Sequence, residues 1–189
     1  MKRIVLAALL LFPALAFSQK MEFRISDFYP IVNGKIVYTD VVTVDSAKAT
    51  DLYLRGKVAL ANLFKDSQEV IQVADESKLL IVGKGSLVSM GHNPFVGSPR
   101  YHFTITLQFK DGRYKYLIDD IKYSFIVNTD KHYKDFTEFI YEMDGNEYKK
   151  KQYERVAEYN YTVGTDFENM VKSLIKEMNV ASKTIDDNW

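Results

Sequence analysis

The chain contains no cysteine. Disulfide staples are therefore excluded, and so is the lipid anchor that bacterial lipoproteins build on a cysteine at their cleavage point. Histidine is scarce as well. His92, His102 and His132 are the three, and none forms an i, i+4 pair, so the clustered ligands of a metal site are not indicated and surface or loop positions are expected. Net charge is missing too, with 25 Lys and Arg against 25 Asp and Glu. A neutral surface argues against nucleic acid as a partner. Beyond the N-terminus no run is long and apolar enough to cross a bilayer, and there is no internal repeat or low-complexity segment.

The N-terminus itself is informative. Met1-Lys2-Arg3 is a short basic stretch, and residues 4–16 are apolar apart from Pro13. Ala16-Phe17-Ser18 fits a small-x-small cleavage site, so residues 1–18 read as a secretory signal peptide, too short for a membrane span. The mature chain would start at Gln19, with cleavage after Ala16 as the alternative. Export to the periplasm or the exterior is the expected address. Removing Lys2 and Arg3 leaves 23 basic against 25 acidic residues, a net charge of −2. Roughly 170 residues suffice to bury a core without staples.

The clearest structural signal lies at residues 101–127. Tyr101, Phe103, Ile105, Leu107 and Phe109 alternate with His102, Thr104, Thr106, Gln108 and Lys110. That is a strand with one buried and one wet face. Asp111-Gly112 follows, a favoured pair for a two-residue type I′ hairpin turn. Such a turn sets Phe109 opposite Tyr114, Leu107 opposite Tyr116 and Ile105 opposite Ile118, all apolar. Beyond Ile118 the phase breaks, because Ile121, Tyr123, Phe125 and Val127 carry the apolar series. One extra residue near Asp119-Asp120, a β-bulge, restores Phe103 to Ile121 and Tyr101 to Tyr123.

The remaining elements follow in order. Residues 19–34 read as a lead-in ending in an Asn33-Gly34 turn, and 35–44 as a strand. Asp45-Ser46 is the expected cap of a helix to about Phe64, with Ala49, Leu52, Tyr53, Gly56, Ala59, Leu60 and Leu63 on one face. Gly56 within that stripe points to a close approach to the sheet. Residues 70–73 and 78–88 read as strands, the second holding Gly83 and Gly85, which mark bulges or close contacts. Residues 89–100 are a loop. Residues 128–164 show no clean period and read as an irregular insertion, with an extra strand near 139–143 and a helical stretch after Lys149. Phe167, Met170, Val171, Leu174, Ile175 and Met178 make a helical stripe, opened by a Thr165/Glu168 capping box. Residues 181–189 read as a flexible tail. One domain over 35–180 is expected, of the α+β class. Its order is strand-helix-four strands-helix, a curved antiparallel sheet with helices packed on one face.

The search for chemistry returns little. Asp144-Gly145-Asn146 has too few ligands for a calcium loop and reads as a turn. Gly85-Ser86 lacks the frame of a nucleophile elbow, and Gly83-Lys84-Gly85 is too short to cradle phosphate. Lys149-Lys150-Lys151 reads as a solvated face. Asn160-Tyr161-Thr162 fits a glycosylation acceptor, relevant only to a eukaryotic secretory route. Asp119 and Asp120 are a candidate acid–base pair, but adjacent strand residues point to opposite faces unless the bulge re-aims one. The 13 tyrosines read as core filling or, alternatively, as lining a partly open groove.

Several stretches resemble a known family. They are Tyr38-Thr-Asp-Val-Val-Thr-Val44, Leu52-Tyr53, Phe64-Lys-Asp-Ser67, Val70-Ile71-Gln72, Gly83-Lys-Gly85 and Lys110-Asp-Gly-Arg-Tyr-Lys-Tyr116. Together they resemble a domain of unknown function described as having a TBP-like fold, common in exported proteins of Bacteroides-type bacteria. The resemblance covers roughly residues 36–127. It implies a sheet curving around a helix, and brings neither catalytic residues nor DNA binding.

Three functional readings stay open. The first is a small exported binding or accessory domain without catalysis or cofactor, whose partner is a small molecule or an envelope protein. It would act through the polar sheet face (Thr104, Thr106, Gln108, Lys115, Lys122) or through the loop, where His92, Phe95 and Arg100 are placed to reach a ligand. The second is a hydrolase using Asp119 or Asp120. The third is a structural domain of envelope assembly that accepts a partner strand along residues 36–44.

Overall fold

Alternation in the long hairpin builds the sheet, and apolar stripes on the helices cover one side of it. The computed structural model describes residues 20–64, 71–89, 99–127 and 130–180. The signal segment 1–18, the tail 181–189, His92 and Phe95 lie outside these residues.

Strands β1 (Lys20–Glu22), β2 (Ile31–Val32), β3 (Lys35–Ile36) and β4 (Tyr38–Thr43) precede helix α1 (Ala49–Leu63). Strands β5 (Ile71–Asp75), β6 (Leu80–Val88), β7 (Arg100–Lys110), β8 (Arg113–Val127) and β9 (Asp130–Asp135) follow. Helix α2 (Phe136–Tyr141), strand β10 (Glu147–Lys149) and helix α3 (Lys150–Val180) complete the chain. The main sheet runs β4-β8-β7-β6-β5, with β9 also on β8. All its pairings are antiparallel. Strand β8 is bordered by β4 over Arg113–Ile118 and by β9 over Lys122–Val127. Phe167 of α3 and Phe136 of α2 both meet Tyr101 edge-on, and Tyr53 of α1 meets Phe109. The three helices therefore share the inward face, and the α+β class with helices on one side stands.

The hairpin register is the expected one. Phe109 faces Tyr114, Leu107 faces Tyr116, Ile105 faces Ile118 and Tyr101 faces Tyr123. The register shifts between His102↔Lys122 and Thr104↔Asp119, so Asp120 and Ile121 stand against Phe103 alone. Asp120 takes φ +48. This is the bulge, and it sits where β8 exchanges β4 for β9.

The turn type differs from the expectation. Gly112 has φ +74, but Asp111 is not among the left-handed residues, so the turn is not type I′. Tertiary bonds dictate its shape: Gly112 N–H donates to the Ala47 carbonyl, and Val44 N–H to the Gly112 carbonyl, both at 2.8 Å. The conformation with two positive φ angles occurs instead at Asn33-Gly34, between β2 and β3.

Further expectations are corrected. Asp45-Ser46 does not cap α1; Ser46 is left-handed, and the helix starts after Lys48, which makes no side-chain cap bond. Residues 19–34 are no mere lead-in within their described part, because Phe23, Ile25 and Tyr29 are buried in the core and β1 pairs with β10. The 128–164 stretch is regular where described: it holds β9, α2, β10 and half of α3. Residues 139–143 are mostly helical, and Thr165 with Glu168 sits inside α3 rather than at its start. The four strands expected before the last helix are joined by β9, α2 and β10.

The glycine readings hold. A Cβ on Gly85 would lie 2.6 Å from the Phe103 ring, and one on Gly56 would lie 2.5 Å from Phe109 Cζ. Asp144 accepts the Ile25 N–H at 2.8 Å, and Asn146 donates to the Glu142 carbonyl. That segment is a structural turn. Asn160 is fully buried, its amide committed to Val156 O and Tyr29 Oη.

Candidate functional site

All three helices cover the inward face, so among the described residues no helix covers the outward face of the sheet. On it the cross-strand register sets side chains in rows. Ser86, His102, Lys122 and Asp135 form one row, and Lys84, Thr104 and Asp119 the next. The bulge inserts Asp120 between these rows on β8 and bends the strand. A concavity of about 220 Å³ results, lined by Lys84, His102, Thr104, Asp120, Lys122 and Tyr133 above Gly85 and Phe103.

Tyr133 meets the His102 ring edge-on at 5.2 Å between centroids, and Lys131 lies over Tyr133. Nε2 of His102 is buried and has no hydrogen-bond partner among the described residues. Burial, then the positive charges of Lys131 and Arg100, holds the imidazole below the usual histidine range. Asp120 is paired with Lys122 at 3.1 Å. Asp119 does not line the concavity; burial and then the neighbouring Asp120 push its carboxyl up, against a lowering by Lys35. The two carboxylates therefore do not converge in a closed cleft, and one of them is already in an ion pair. Among the described residues no cluster of three or more His, Asp or Glu is arranged to hold a metal.

Of the residues singled out in the sequence, Thr104, Asp120 and Lys122 line this concavity. Arg100 opens β7 on the same face and bonds Ser86 Oγ at 3.0 Å, one row away. His102, Lys84 and Tyr133 were not singled out as ligand-binding residues. The signal available for His102 was its outward place in the alternation; Tyr133 lay in the stretch without a period.

Tyrosine serves both expected roles. Tyr101 and Tyr114 fill the core. Tyr38 and Tyr116 line a second concavity of about 330 Å³ with Val37, Glu168, Val171 and Lys172. The free edge of β4 is partly closed, since Val37 N–H donates to the Pro30 carbonyl and Val41 N–H to Asp40 Oδ1 at 2.7 Å.

Residues 38–124 match the family model of DUF4468, a domain of unknown function with TBP-like fold. The resemblance noted in the sequence is to this same family. Among solved structures, a TBP-like protein from Parabacteroides distasonis is similar at TM-score 0.62 and 14% identity, over 79% of this chain and 96% of that one. A DUF4468 family protein from Bacteroides ovatus is similar at TM-score 0.63 and 18% identity, over 79% of this chain and 90% of that one. At these identities the likeness speaks for the fold alone. No curated protein matches. The DUF4468 match ends at residue 124, within β8, so Tyr133 on β9 comes from beyond the matched stretch.

Proposed function

We propose that this chain is an exported, non-catalytic binding domain that takes a small molecule on the open face of its sheet, over the bulge at Asp119-Asp120. The observation behind this reading is the convergence of Lys84, His102, Thr104, Asp120, Lys122 and Tyr133, drawn from four strands, on one concavity of about 220 Å³. Ordinary alternation makes one sheet face polar without making it concave. Here a bulge with a left-handed Asp120 provides the shape. A concave site with a few convergent polar groups beside an aromatic ring is the usual form of a ligand pocket. Export rests on the basic Met1-Lys2-Arg3 start, the apolar residues 4–16 and the Ala16-Phe17-Ser18 site.

Two measurements test the reading. Mass spectrometry of the protein expressed with its leader in a Bacteroides-type host should give a mature chain beginning at Gln19; a retained Met1 would remove export. Native mass spectrometry and a small-molecule NMR screen should find ligands that shift the amides of 84, 102–104 and 120–122. Tyr133→Ala and Lys122→Ala should weaken those ligands at least several-fold. Binding left intact in both variants would remove the site.

A further inference from the structure

The chemistry of the open-face site points to a particular class of ligand, and this inference rests on the reading of that site given above. The charged groups around His102 can be followed strand by strand. From β6 comes Lys84, from β7 Arg100, from β8 Asp119, Asp120 and Lys122, and from β9 Lys131 and Asp135. Most are already engaged. Lys122 pairs with Asp120 at 3.1 Å, and Arg100 bonds Ser86 Oγ. Lys131 lies over the Tyr133 ring, and Asp135 accepts the Glu138 N–H at the start of α2. Lys84 is an exposed cation without an ion pair among the described residues, and it lines the concavity. Thr104, its direct cross-strand partner, presents a hydroxyl beside it, and His102 is the next outward residue on β7. The buried Nε2 of His102 is unpartnered. One uncommitted ammonium, one hydroxyl and one imidazole ring thus line a single hollow.

We propose that the ligand carries an anionic oxygen group, a carboxylate or a phosphate, bound between the Lys84 ammonium, the Thr104 hydroxyl and the His102 imidazole. An ammonium and a hydroxyl donate to such a group, and a protonated imidazole adds a third, charge-assisted donor. Anion and proton then bind together. Burial, then Lys131 and Arg100, lower the pKa of the imidazole, and an anion beside it offsets that cost. The sign follows from linkage. The anion raises the His102 pKa, so its affinity grows as pH falls through the raised value and levels off below the free value.

The test is an NMR titration of the histidine Cε1–H resonances in the mature protein, with His102→Gln for assignment. Sulfate stands in for a phosphate head group and acetate for a carboxylate, because neither titrates between pH 5.5 and 8; chloride holds ionic strength constant. The His102 pKa should rise by about 0.5 to 1 unit with saturating sulfate or acetate, and His132 should not move. Affinity should tighten as pH falls from 8, approaching roughly 3- to 10-fold below the free His102 pKa, which is that shift expressed as a binding ratio. The anion with the larger effect identifies the head group. Lys84→Gln should abolish the shift while leaving the remaining amide spectrum intact. If neither anion moves His102 while neutral compounds still shift the amides of 102–104 and 120–122, the anionic inference fails and the site survives. If no compound shifts those amides while another region responds, the site fails with it.

Discussion

The carboxylate of Asp111, in the turn of the long hairpin, accepts the backbone N–H of Ala49 at 2.9 Å, while Lys48 Nζ lies 3.3 Å from its other oxygen. Asp111 thus caps a helix whose own flanking residue provides no side-chain cap. The Ala49 N–H first, then Lys48, hold the Asp111 carboxyl below the usual range. A depressed native pKa stabilises above the unfolded pKa and is lost as pH falls through the native one. Asp111→Ala should therefore lower Tm at pH 7, and the gap from wild type should narrow below pH of about 4. Asp111→Asn keeps an acceptor and should lose less. Thermal unfolding by circular dichroism from pH 7 to 3 checks this; a gap constant across pH would refute it.

Gly164 lies in the interior of α3, where a Cβ would stand 2.6 Å from the Phe28 carbonyl oxygen. Alanine gains about 1 kcal/mol of helix propensity, but here it meets backbone, which yields less than a ring does. We expect Gly164→Ala to destabilise by about 1–3 kcal/mol net. Gly56→Ala should lose less, because its clash is with the Phe109 side chain. Urea unfolding of both variants gives the order, and a stabilised Gly164→Ala would show that the contact relaxes freely.

Tyr29 donates to Asn160 Oδ1 at 2.8 Å inside the core, and Asn160 donates to Val156 O. Tyr29→Phe leaves a buried acceptor unsatisfied and should cost about 1–3 kcal/mol. A double-mutant cycle with Asn160→Ala should show coupling between the two; additive losses would count against the bond.

Two other buried tyrosines make opposite predictions. The Tyr101 hydroxyl lies 2.6 Å from that of Tyr159, whereas the Tyr114 hydroxyl finds no partner among the described residues. Tyr101→Phe should lose about 1 kcal/mol, and Tyr114→Phe should be neutral or gain up to about 1 kcal/mol. Chemical denaturation decides, and equal losses would refute the distinction.

Asp40 occupies the Val41 N–H on the free edge of β4, and exposed edge strands invite pairing. Asp40→Ala should accelerate hydrogen exchange at Val41 and promote concentration-dependent self-association, read by light scattering. Unchanged light scattering with unchanged exchange would show that the carboxylate does not guard the edge.

Legibility in the sequence followed length and period. Strand β7 has 11 residues and β8 has 15, enough alternation to set the register and expose the bulge. Strand β9 is an edge strand of mostly polar residues, α2 has six residues and β10 has three. Elements that short carry too little period to read. A helical stretch after Lys149 was legible, but its continuity with the last helix was not, because much of the first half of α3 faces solvent while its anchors Asn160 and Val163 are sparse. The site was partly visible in Thr104, Asp120 and Lys122. The contributions of Lys84 and Tyr133 depend on β6 and β9 flanking the hairpin.

The sequence by itself determined the α+β class, the inward face, the register of the long hairpin and the bulge, because these follow from local alternation and from which side chains avoid water. Only the tertiary structure decided that Asp111 caps a helix 62 positions earlier in the chain. The same holds for β9 taking over the edge of β8 beyond the bulge, and for the hollow in which Lys84, His102 and Tyr133 meet. Those relationships join segments far apart along the chain, and no local periodicity encodes which distant backbone group a given carboxylate or ring will reach.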